Sequence, residues 1–213
     1  MDRPKRPKNA AATRQAILHS ALAAFSRHGY DGIGVREIAQ AAGVTGVLVN
    51  RYFGSKEELF AAAVELAFAD KSVFEGDSSM LAQRLTAKVM KTEKDLEPND
   101  AFFLLLRSAP NPRAAEILRD SIARHFERPL QASLRGPRPA ERAGMILAVC
   151  MGLSLFRTVI GSKALTEANV ASLSGDLSSL FQGLIAASAG RRPPARKSHR
   201  KKHKREREVA EKL

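Results

Sequence analysis

The residues best suited to molecular recognition lie between positions 35 and 56, in VREIAQAAGVTGVLVNRYFGSK. Val49 and Phe53 stand four apart, so on a helix they share one face with an apolar character. The opposite face then carries Gly46, Val47, Asn50 and Arg51. An Asn amide and an Arg guanidinium each offer paired hydrogen-bonding groups that match base edges, and the major groove of duplex DNA admits one helix. Small side chains beside them let such a helix sit deep. The chemistry implied is therefore recognition of a duplex rather than catalysis.

Short elements must hold that helix in place. Thr13 to His28 has helical spacing, with Ile17, Ala21 and Phe25 at i, i+4 and i+8. Gly29 terminates it. A second helix is expected over Val35–Ala42, and Ile38, Ala39 and Val44 complete a small shared core with Val49 and Phe53. Gly43 supplies a positive φ cheaply in the turn. Thr45 is placed to N-cap the third helix, which runs to about Phe53. Gly54 breaks it, and Ser55-Lys56-Glu57-Glu58 is a capping box opening a fourth helix expected to reach about Phe74.

Residues 13–60 resemble the DNA-binding domain of the TetR family. The resemblance rests on Thr13-Arg14, Ile17-Leu18, Ala21, Phe25 and Gly29-Tyr30-Asp31. It continues through Val35-Arg36-Glu37-Ile38-Ala39, Ala42-Gly43-Val44-Thr45 and Tyr52-Phe53-Gly54-Ser55-Lys56-Glu57-Glu58-Leu59. It implies an all-α fold, with an N-terminal three-helix helix-turn-helix domain and a larger helical C-terminal domain that binds an effector and dimerises. The expected division is a basic arm over 1–11, the DNA-binding domain over 12–58, the effector and dimerisation domain over 59–189 and a basic tail over 190–213. By this resemblance Arg14, Thr45, Tyr52 and Lys56 contact phosphates. Arg36, Gly46, Val47, Leu48, Asn50 and Arg51 read bases. Leu48 and Tyr52 also read as partial core. Val47 and Asn50 stand where the family often has Gly and usually has Tyr, and Gly34 replaces the usual Ser or Thr cap of the second helix. These departures bear on operator contacts. Phe102–Arg119 is similar to one C-terminal subfamily.

The remaining chain reads as helices over 78–94, 99–108, 112–134, 139–160 and 168–188, with a kink or split at Pro129. The fourth of these is apolar on two sides and needs two partners. Its own core is one, and the resemblance makes a second subunit the other. Ala148, Met151 and Leu155, with Leu173, Leu177, Leu180, Phe181 and Leu184, are the expected interface of a homodimer. Candidate walls of an effector pocket are Met90, Phe102, Phe103, Leu106, Phe126, Met145 and Met151, which would suit a small hydrophobic effector. His125, Arg107 and Cys150 can supply polarity. They read more simply as two surface residues and one small buried residue.

The formal net charge is +13, and it is concentrated at the ends. Residues 1–14 hold five Lys/Arg against one Asp, and residues 190–213 hold eleven against three Glu, while the middle is nearly neutral. Such ends suit polyanions. The arm is expected to reach along the backbone or into the minor groove. The tail lacks apolar periodicity. The single cysteine, Cys150, fits a reducing, cytoplasmic setting. The apolar run 143–156 is too short to span a bilayer, so no membrane is expected. No metal-ligand spacing, nucleophile–base pair or phosphate-cradling loop is visible, so neither enzyme activity nor a cofactor is expected. The reading is a DNA-binding transcriptional regulator with double-stranded DNA as partner, a repressor released from a palindromic operator by its effector. The alternatives are an effector-independent architectural DNA-binding protein, or a ligand- or membrane-surface-binding protein that uses the basic tail.

Overall fold

The computed structural model describes residues 6–90, 101–165 and 170–186. The expectations for the first five residues of the arm and for the tail beyond 186 lie outside the described residues. Every regular element among the described residues is helical. They are α1 (Arg6–His28), α2 (Val35–Ala41), α3 (Gly46–Phe53), α4 (Lys56–Ala67), α5 (Leu81–Val89), α6 (Ala101–Ser108), α7 (Pro112–Ile122), α8 (Arg128–Ser133), α9 (Pro139–Ser154) and α10 (Val170–Ala186).

α1 starts at Arg6, seven residues before the expected Thr13. α4 ends at Ala67, well short of Phe74. Beyond it, the Asp70 carboxylate accepts the Ser72 N–H at 3.0 Å. This local bond offers the backbone an alternative to a further helical turn. Pro129 does not break the chain. The segment Ala123–Glu127 widens into a π-turn that leads from α7 into α8, so the ring enters without losing the helical direction.

Two cores result. The first joins Ile17, Phe25, Ile38, Val49, Phe60 and Val64 of α1–α4. It extends past residue 58, taking in Leu104 of α6 and Ala114 and Leu118 of α7. The rings of Phe25, Tyr30 and Phe60 form its centre. Phe60 stands edge-on to Phe25 and to Tyr30, each at 5.0 Å. The second core packs α5, α8, α9 and α10 through Leu81, Leu85, Leu130, Ile146, Leu177 and Phe181.

α9 continues through the π-turn Leu155–Val159. The combined helix Pro139–Val159 has 21 residues and a mean hydropathy of 1.4, enough by length and composition alone to cross a membrane. It is longer than the apolar run 143–156 on which the shorter expectation rested. Arg142, near its start, is buried in the second core. Its guanidinium donates to the carbonyls of Leu184 and Ile185 at the end of α10, and to that of Arg135. A cation is well placed at a helix C-terminus, where unpaired carbonyls gather.

Candidate nucleic-acid interface and internal cavity

Local chemistry builds the α2–α3 corner. Gly34 has no hydroxyl to cap α2, and the Glu37 carboxylate instead accepts the Gly34 N–H at 2.6 Å. Gly43 takes φ +67°, so the chain reverses and Val44 N–H reaches the Ala39 carbonyl at 2.9 Å. Thr45 Oγ1 then accepts the Leu48 N–H at 3.4 Å and opens α3. Val49 and Phe53 are buried against Ile38 and Ala39. This seam fixes the roll of α3 and turns its other side outward. Val47 is 81% exposed, and Asn50, Arg51, Thr45 and the neighbouring Arg36 are exposed too.

The other expected contacts surround this face. Gly46 leaves room beside Arg36, with space for a Cβ 3.8 Å from Arg36 Cγ. Leu48 and Tyr52 are half-buried, and Tyr52 packs against the first core. The Arg14 guanidinium lies over the Phe53 ring at 4.7 Å, and Lys56 Nζ over the Tyr30 ring at 4.5 Å. Both cations rest on apolar supports that orient them without neutralising their charge. Ser55 and Glu58 close the predicted capping box at 3.1 and 2.9 Å, so Lys56 sits in the first turn of α4.

A cavity of about 380 Å³ lies between the two cores. Phe68, Phe74, Phe102, Phe126, Leu147 and Met151 supply much of its apolar wall. Asp70 and Lys88 also line it, paired to each other at 2.6 Å. Hydrogen bonds from Lys88 and from Ser72 hold the Asp70 carboxyl well below the usual carboxylate range. Cys150 faces the same space, and burial pushes its thiol up to about 12. A thiolate is the reactive form. Cys150 is therefore expected to react slowly with iodoacetamide at pH 8 in the folded protein and much faster in denaturant. Equal rates would contradict its burial.

α6 touches both the cavity and α1. Ala101, Phe102 and Leu105 line the cavity. At its other end, the Arg107 guanidinium donates to the Ser26 carbonyl. Gly29, at φ +71°, presses so closely on the Arg107 backbone that a Cβ there would collide with its carbonyl oxygen. Further polar contacts tie α7 to the N-terminal helices. Asn111 donates to Asp31 at 2.8 Å and Arg113 to Glu57 at 2.9 Å.

Family models match the chain in two parts. The model described as bacterial regulatory proteins, tetR family, covers residues 17–63. The model described as tetracyclin repressor-like, C-terminal domain, covers residues 80–185. The chain belongs to the TetR family. Among curated relatives, the HTH-type transcriptional regulatory protein RaaS of Mycobacterium tuberculosis is 54% identical over 43 residues, 20% of each chain. The chain matches about a fifth to two fifths of the length of the curated relatives it resembles. Among solved structures, Salmonella enterica GusR superposes with a TM-score of 0.65 at 19% identity, covering 87% of this chain and 100% of that one. A transcriptional regulator from Rhodococcus sp. Rha1 gives 0.54 at 27% identity, covering 79% and 95%.

In this TetR-family chain the expected pocket is only partly the observed one. Phe102, Phe126 and Met151 line the cavity. Met90, Phe103, Leu106 and Met145 do not. Met90 packs against the second core, Phe103 stacks under the Arg107 guanidinium at 4.8 Å, and Met145 is exposed. Sequence reasoning missed Phe68, Val73 and Phe74, because it placed them within a longer α4.

The expected interface also needs correction. Phe181 is 0% exposed and Leu177 5%, both inside the protomer's own second core, so neither offers surface to a partner. Leu184 is half-buried against the same core. Ala148, which is exposed, and Met151, which is half-buried, also line the cavity. Leu155 and Leu173 are half-buried, and Leu180 is exposed. Met145, Phe156, Val159 and Ile160 are exposed as well as Leu180.

His125 is neither on the surface nor in the cavity. Its Nε2 lies 2.8 Å from Glu65 of α4, which also accepts from Ser121 and Arg124. Burial raises the Glu65 carboxyl, but the bonds from His125, Ser121 and Arg124 outweigh it and hold it below the usual range. A depressed folded value means that this stabilisation is present above the ordinary Glu range and is lost as pH falls through the folded value. Wild type is therefore expected to lose more stability than Glu65→Gln between pH 7 and pH 3, as read by urea midpoints. Parallel losses would contradict the contribution of this cluster.

Proposed function

We propose that this chain is a homodimeric transcriptional repressor that releases a palindromic operator when a small effector occupies the cavity. In this reading residues 12–58 form the DNA-binding domain and 59–189 the effector and dimerisation domain, acting in the cytoplasm. The observation that carries it is α3. A buried seam holds its inner side, and its outer side presents Val47, Asn50 and Arg51 to solvent. An 81% exposed valine one helical turn before two polar recognition groups is well placed to pack on thymine methyls in a major groove. Asn50, Arg51 and Arg36 read base edges, with Gly46 and Leu48 packed close to them. Arg14, Thr45, Tyr52 and Lys56 hold phosphates.

The exposed apolar side chains Met145, Phe156, Val159, Ile160 and Leu180 on the α9 and α10 helices support dimerisation. Exposed large apolar side chains gathered on two helices are the kind of surface that interaction covers, and a two-fold operator rewards a two-fold protein. A variant carrying Ile160→Glu and Leu180→Glu is expected to sediment as a monomer and to lose cooperative operator binding. Retention of a dimer would place the interface elsewhere. The effector acts by population shift. α6 bears on the cavity at one end and on Ser26 and Gly29 at the other, so ligand favours one placement of α1 and with it one spacing of the two recognition helices.

The decisive experiment is selection of duplexes from a random pool with the purified protein, followed by a ligand screen on the selected DNA. The expected result is an inverted repeat with half-sites about 34–36 Å apart, and a ligand that lowers affinity for it. No enriched sequence would instead favour an architectural protein.

A further inference from the structure

The geometry points to a lipophilic cation as the ligand class of the cavity. This rests on the reading of the cavity as the effector site, and it follows from the charges that line it. Asp70 and Lys88 cancel one another across 2.6 Å. Glu127 also lines the cavity, and among the described residues it makes no ion pair or hydrogen bond. Arg124, one turn before it, is committed to Glu65 at 2.7 Å, and the adjacent Arg128 is exposed and makes no ion pair with it among the described residues. Glu127 therefore lines an apolar cavity with no partner among the described residues.

The walls around it suit a positive charge. Phe126 precedes Glu127 in the π-turn that leads into α8, and both line the cavity. The Phe126 ring stands 5.0 Å from Phe68 and 6.4 Å from Phe74, and all three rings line the cavity together with Glu127. Ring faces carry negative potential and attract cations, most strongly where water is excluded. A carboxylate at the wall of an apolar cavity gains from a partner of opposite charge. An apolar anion would meet Glu127 as a like charge, and would have to separate Lys88 from Asp70 to find a counter-charge. A neutral ligand would leave Glu127 unpaired. The remaining wall, with Leu147 and Met151, accepts an alkyl or aryl body.

Calorimetric titration of the full chain with three ten-carbon probes tests this. The probes are decyltrimethylammonium, decan-1-ol and decanoate at submicellar concentration, without DNA. Decyltrimethylammonium is expected to bind at least tenfold more tightly than decan-1-ol, and decanoate more weakly than both. Glu127→Gln should erase the advantage of the cation while leaving decan-1-ol within twofold, and Glu127→Asp should restore much of it. The inference is overturned if decan-1-ol or decanoate binds as tightly as the cation. It is also overturned if the cation-to-alcohol ratio survives in Glu127→Gln, or if none of the probes binds. Operator release is a separate readout. Cation binding without any change in operator affinity would sink the release mechanism and leave the ligand class standing. Release by decanoate or decan-1-ol alone would do the reverse.

Discussion

Replacing Phe60 with Ala is expected to lower folding stability by about 3–5 kcal/mol, the range for deleting a fully buried aromatic side chain. Phe60 is 0% exposed and stands where α1, the α1–α2 turn and α4 meet. Its ring is edge-on to both Phe25 and Tyr30 at 5.0 Å. Such ring pairs are worth about 0.5–1.5 kcal/mol each beyond the area they bury. Collapse into the gap is resisted because each neighbour is held from another side. Tyr30 carries Lys56 on its ring, and Phe25 belongs to the long α1. Against a total stability of about 5–15 kcal/mol for a typical domain, the loss would remove a large share. Urea unfolding followed by circular dichroism measures it. A loss under about 1 kcal/mol would contradict the close packing of this centre. Because the same ring cluster supports the seam behind α3, operator affinity should fall at temperatures well below unfolding.

The double variant Asn50→Ala, Arg51→Ala is expected to bind its selected operator about 10²- to 10⁴-fold more weakly, taking about 1–3 kcal/mol for each bidentate base contact. Both side chains are exposed and neither takes part in either core, so the fold should be untouched. Circular dichroism and thermal midpoint should match wild type. Affinity for random duplex should change much less, because that term comes from phosphate contacts made by other cations. Fluorescence anisotropy at one fixed salt concentration, on operator and on random DNA, gives both numbers. Unchanged operator affinity would remove α3 as the recognition element. Lys56→Ala makes the opposite pattern. It should weaken both duplexes alike and reduce the salt slope by about 1, as the phosphate contact proposed for Lys56 requires.

The two variants differ in kind because they act on opposite sides of the same short helix. Phe60 acts from behind, through the packing that sets the position of α3. Asn50 and Arg51 act from the front. In the proposed mechanism the cavity acts at a third place, through α6, whose Phe102 end lines the cavity and whose Arg107 end meets Gly29 and Ser26.

From its residues alone, this chain could be read for whatever is decided within a few positions. The Thr45 cap, the Ser55–Glu58 box, the positive φ of Gly43 and the Val49–Phe53 seam are all contacts within about one helical turn, and each forms as expected. Helical content and the outward placement of Asn50 and Arg51 follow from them. What only tertiary packing decided lies between elements far apart in sequence. Periodicity tells which side of a helix is apolar, but not which partner covers it. Phe181 and Leu177 turn into their own core rather than toward a second subunit, Ala148 and Met151 border a cavity, and Phe68 and Phe74 join them because Asp70 ends α4 early. Glu127 stands unpaired among the described residues for the same reason. Its position is set by how α7, α8 and α4 pack around a π-turn, and no local spacing encodes that.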